Sequence, residues 1–71
     1  MNAQAIRSPI SIRNDFKFYW MESDGEISGF VQDPDGNTVP GSNGWYRTSD
    51  PLEAAKRAQA RFVQPPKHNI R

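Results

Sequence analysis

The stretch Phe16-Lys17-Phe18-Tyr19-Trp20-Met21-Glu22-Ser23-Asp24-Gly25-Glu26-Ile27-Ser28-Gly29-Phe30-Val31-Gln32 decides the fold. Phe16, Phe18 and Trp20 alternate with Lys17, Tyr19 and Met21. That period of two is what a strand requires, because successive side chains point to opposite faces. Ile27, Gly29 and Val31 repeat it on one face, with Phe30 on the other. Ser23-Asp24-Gly25 between the two runs is a tight turn, so the pair reads as a β-hairpin.

Downstream, Asp33-Pro34-Asp35-Gly36-Asn37 has the chemistry of a second turn. Proline presets φ at the second position, and Gly36 accepts the positive φ that larger side chains resist. The loop runs on through Pro40-Gly41-Ser42-Asn43-Gly44, long for a hairpin, and its tip is expected to be mobile. A short third strand over 45–48 completes an antiparallel meander.

The spacing then predicts a helix. Asp50 is a good N-cap, Pro51 suits the first helical position, and Glu53 can close a capping box. Leu52, Ala55, Ala58 and Phe62 follow the helical apolar period, with Ala54 beside them. Glu53, Lys56, Arg57 and Arg61 fall on the opposite side, and Glu53 with Arg57 makes an i,i+4 pair. Pro65-Pro66 stops the helix. Upstream, residues 1–14 read as a flexible arm in which Ile10 and Ile12 leave the option of a short edge strand.

The expectation is therefore a single α+β domain over 15–64. It consists of a three-stranded antiparallel meander with one C-terminal helix packed on one face, between a flexible arm at 1–14 and a flexible basic tail at 65–71. With 71 residues such a domain buries only about 60% of its chain surface. Hydrophobic residues are 35% and charged residues 24% of the chain, polar for a globular domain yet not a disordered composition.

Composition also excludes function classes. With no cysteine and one histidine, the chain has no disulfide framework, no zinc knuckle and no thiol nucleophile. No apolar run reaches the length of a membrane span, and residues 1–13 lack the apolar segment of a signal peptide. These features predict a cytoplasmic, non-catalytic protein without membrane, cofactor or metal. Asp33, Asp35 and Asn37 have part of a calcium-loop pattern, but the glycine comes too early and no glutamate closes the loop, so turn chemistry is preferred. Asp24 and Glu26 read as solvated turn carboxylates, His68 as an exposed tail residue. None of the serines sits in a nucleophile-elbow setting.

The formal net charge of +1 hides an asymmetry. Residues 1–13 carry two arginines and no acid, residues 14–50 seven acids against Lys17 and Arg47, and residues 51–71 five basic residues against Glu53. An acidic middle lies between basic ends. A single helix covers only one face of a small sheet. With Phe16, Phe18, Trp20, Ile27 and Val31 facing it, Tyr19, Met21, Phe30 and Tyr46 are expected on the open face as a docking patch. The candidate protein-binding residues are therefore Tyr19, Glu22, Asp24, Glu26, Phe30 and Tyr46. The candidates for nucleic-acid contact are Lys56, Arg57, Arg61, Lys67 and Arg71.

Two resemblances accompany this reading. A three-stranded sheet followed by a helix opening Thr48-Ser49-Asp50-Pro51 and running on Glu53-Ala54-Ala55 resembles the arm-type DNA-binding domains of tyrosine integrases. That likeness implies a DNA-binding module of a mobile element whose sheet enters the major groove. The acidic sheet departs from it, because a sheet pressed on phosphates needs positive charge. A small, cysteine-free chain with a short sheet, one helix and charged tails is also similar to bacteriophage host-takeover proteins. That likeness implies a regulator in the host cell cytoplasm that modulates or inhibits bacterial RNA polymerase, or else an inhibitor of a host defence nuclease. A protein partner is the leading expectation and nucleic acid the alternative.

Overall fold

The computed structural model describes residues 6–64. Its elements are β1 (Arg7–Ser11), β2 (Lys17–Ser23), β3 (Glu26–Gln32), β4 (Gly44–Trp45) and α1 (Pro51–Phe62). The four strands form one antiparallel sheet in the order β1-β2-β3-β4, a meander with the helix across one face. The α+β class and the meander are as read from the sequence. The segment read as an arm nevertheless contributes β1, so the sheet begins upstream of residue 15. The expectations for the tail at 65–71, including Lys67, His68 and Arg71, and for residues 1–5 lie outside the described residues.

The β2–β3 hairpin organises the rest. Phe18 pairs with Val31, Trp20 with Gly29 and Glu22 with Ile27, which sets these residues on the helix side. Tyr19 opposite Phe30, Met21 opposite Ser28 and Ser23 opposite Glu26 lie on the other side. Asp24 and Gly25 both take positive φ, 54° and 78°, the two-residue turn whose twist matches that of the flanking strands. Gly29 is fixed by close approach: a Cβ there would stand 2.2 Å from the Tyr19 carbonyl oxygen and 2.9 Å from the Phe18 ring.

Phe18, Ile27, Val31, Tyr46, Ala54, Ala55, Ala58 and Val63 make up the core. Three alanines on the inner stripe of α1 let the helix sit close to the sheet, with Phe18 reaching edge-on to Tyr46 at 5.1 Å between ring centroids. Leu52 departs from the expected stripe and is 61% exposed, because Ala54 turns inward together with Ala55 and Ala58 and shifts the buried arc away from it.

Hydrogen bonds tie loop 33–43 to itself and to β3. The Asp33 carboxylate accepts from the amides of Asp35 and Asn37, as turn chemistry requires. Val39 donates to the Val31 carbonyl at 2.8 Å. Ser42, 1% exposed, does the work of a missing strand neighbour. Its Oγ accepts from the Val31 amide at 3.0 Å and donates to the Val39 carbonyl at 2.7 Å.

Two arginines fasten the helix. Asp50 caps its start, accepting from the Leu52 amide at 3.1 Å. Glu53 does not close the capping box: Thr48 Oγ1 accepts from the Asp50 amide instead, and Glu53 pairs with Arg57 at 3.3 Å. Arg57 Nη1 also donates to the Tyr46 carbonyl at 2.9 Å, tying the β4–α1 connection to the helix. At the other end the turn at Arg13–Asp15, with Asn14 and Asp15 both at positive φ, reaches the helix terminus. Arg13 donates to the Val63 carbonyl and Asn14 to the Gln64 carbonyl, each at 3.0 Å. Cationic and amide donors there satisfy carbonyls that have no partner within the helix.

Candidate functional site

The sheet face away from α1 is the candidate site. The alternation of β2 and β3 delivers Tyr19 and Phe30 to directly opposed positions, and their rings stack at 5.3 Å with an interplanar angle of 10°. Offset stacking of this kind lets each ring shield the other while both keep an outward face. Met21 stands beside them, one pair nearer the hairpin tip. Ser28 pairs with Trp45 of β4, which extends the aromatic row to the sheet edge and leaves the indole 53% exposed.

Acidic groups mark one end of this face. Glu26 is exposed on it, Asp24 forms the hairpin turn, and exposed Glu22 stands at the same end on the helix side. At the other end Lys17 and Tyr19 border a shallow cleft of about 280 Å³, shared with Asp15 and Asp33. The candidates Tyr19, Phe30, Asp24 and Glu26 are thus brought together, with Glu22 at their margin.

Tyr46 is corrected. It is 6% exposed, packs on Phe18 in the core and donates its hydroxyl proton to the Ser42 carbonyl. Burial pushes its phenol above the ordinary tyrosine value, with the Arg61 charge acting in the opposite direction. The reason is register. Tyr46 donates its amide to the Ile27 carbonyl while Thr48 accepts from the Ile27 amide, so Tyr46 stands level with inward-facing Ile27. Arg47, at φ 56°, takes up the intervening bulge. Trp45 occupies the outer position expected for Tyr46. Two adjacent aromatics carry no parity signal, so the sequence pattern does not distinguish them.

The basic candidates on the helix divide. Lys56 and Arg61 are exposed, whereas Arg57 is engaged by Glu53 and by the Tyr46 carbonyl. Arg61 lies over the Phe62 ring at 5.3 Å. On the edge strand β1, which sequence reasoning left as an option, Arg7 lies over Trp20 at 5.6 Å and the Trp20 Nε1 donates to the Ser8 carbonyl. Pro9 sits where the β1–β2 register shifts, at an edge where its missing N–H costs nothing.

Among the described residues no group of acidic, histidine or cysteine side chains is placed to hold a metal ion, and no helix is long and apolar enough to cross a membrane. Compared with family models, with curated proteins and with solved structures, the chain matches none of them.

Proposed function

We propose that this chain is a small, non-catalytic regulatory protein that docks through its open sheet face onto a basic surface of a larger machine. Bacterial RNA polymerase is the best single candidate for that machine. The observation that carries the reading is the Tyr19–Phe30 stack, held on the sheet face away from α1, which no helix among the described residues covers, and bounded by the acidic hairpin end. Aromatic pairs of this kind make good interface anchors, since they bring large apolar area at little cost in side-chain entropy. The charge around them selects the partner. Glu22, Asp24 and Glu26 outnumber Lys17, so a basic protein surface is attracted and a nucleic-acid backbone repelled.

The test is direct binding to purified bacterial RNA polymerase, followed by transcription from a simple promoter. Phe30→Ala, and separately the combined reversal of Glu22, Asp24 and Glu26 to lysine, are expected to abolish binding and relieve repression while the thermal melt stays cooperative. Wild-type affinity in both folded variants, or no association with the polymerase at all, would overturn the proposal.

A further inference from the structure

A second surface lies at the β4 edge, where Trp45, Tyr46 and Arg47 face the Arg57–Arg61 segment of α1 across an open cleft of about 300 Å³. Three of its six lining residues are arginines, one is an exposed tryptophan, and none is acidic. Among the described residues neither Arg47 nor Arg61 has a carboxylate within ion-pair distance. This is unlike the hairpin end of the sheet, where Glu22, Asp24 and Glu26 gather. Like-charged guanidiniums gathered around one opening repel each other, and an anion entering the opening relieves that repulsion.

We infer that this cleft binds single-stranded nucleic acid, with one base stacked on the Trp45 indole and the flanking phosphates held by Arg47 and Arg61. The indole offers a flat apolar surface beside fixed positive charge, the combination by which single strands are held without regard to sequence. A duplex keeps its bases stacked on one another and has no free base face for the indole. Arg57 spends its Nη1 on the Tyr46 carbonyl and its Nε on Glu53, which leaves Arg47 and Arg61 to meet the ligand. That engagement also holds Arg57 in place in the cleft lining. Trp45 stands at the edge of the Tyr19–Phe30 face, but Arg57 and Arg61 lie on α1 at the other side of the sheet, and the inference does not depend on the docking reading.

Anisotropy of a labelled oligothymidine of about ten nucleotides, within the span such sites occupy, tests this with the full chain. Trp45→Ala is expected to weaken binding roughly 5- to 150-fold, the range of a lost base stack, while Trp45→Tyr retains most of the affinity. Arg61→Gln and Arg47→Asn are each expected to lower the slope of log affinity against log salt by about 0.7; asparagine tolerates the positive φ at position 47. Tyr19→Ala is expected to leave oligonucleotide affinity unchanged, which separates this site from the docking face. A thermal melt verifies that each variant is folded. The inference is overturned if the oligonucleotide fails to bind at low salt, or if folded Trp45→Ala binds like wild type. Equal binding of a duplex or of polyglutamate would overturn it too.

Discussion

On the inner face of the sheet, Phe18 and Tyr46 meet edge to face under an alanine stripe, with Ile27 and Val31 filling the space between strands and helix. On the outer face, Tyr19 and Phe30 stack flat on each other, and among the described residues no helix lies over them. Both faces draw aromatics from the same hairpin. The inner rings are buried by a helix built narrow enough to approach them, whereas the outer rings stack on each other with Met21 beside them. Aromatic content therefore does not mark a core in this chain. What decides is which parity the helix covers, and that follows from the β4–α1 connection.

The comparison can be broken most forcefully at Phe18, which is fully buried. Phe18→Ala is expected to cost about 3–5 kcal/mol, enough to unfold a domain this small; a urea midpoint near wild type would show the inner face to be less tightly packed than described. Ser42→Ala tests the loop that shapes the inner face. It removes the acceptor of the buried Val31 amide, and a loss of about 1–3 kcal/mol is expected. Hydrogen exchange should locate the opening at Val31 and Val39; an unchanged exchange pattern would argue against Ser42 as the anchor.

Tyr19→Ala probes the outer face, where only the stack with Phe30 is lost. A destabilisation of about 0.5–1.5 kcal/mol is expected, and a loss as large as that at Phe18 would erase the distinction between the faces. The smallest effect concerns pH. Burial raises the Tyr46 phenol above its ordinary value, so the fold favours the protonated form. Its contribution is present in full below the ordinary tyrosine value and is lost as pH rises through the folded one. The stability difference between wild type and Tyr46→Phe should accordingly shift against wild type above about pH 10, and parallel stability curves across that range would contradict the assignment.

Much of the outer face was legible from alternation. Tyr19, Met21 and Phe30 fall where the period of two places them, because their strands are regular and joined by a two-residue turn that leaves no freedom of register. Tyr46 is misplaced because the strand just before it, β4, is two residues long and follows an eleven-residue loop, so no run of alternation carries through to it. Its side is set by hydrogen bonds to Ile27 and by the bulge at Arg47. The arginine cleft was illegible for the same reason, since Arg47 and Arg61 approach only through that bulge and the return of the helix.

Local chemistry in the sequence determined the hairpin, its turn, the capped start of the helix and the sign of charge along the chain. These depend on neighbours a few residues apart, through side-chain alternation, the φ freedom of glycine and the reach of an N-cap carboxylate. Tertiary structure alone decided that residues 7–11 join the sheet, that Arg13 and Arg57 fasten the helix at its two ends, and that Ser42 replaces a strand. Each of those contacts joins separate elements and satisfies a backbone group left over when the local elements have formed. The search for such partners is a property of the whole packed chain, because an unpaired donor or carbonyl gains a partner only once burial has taken water away from it.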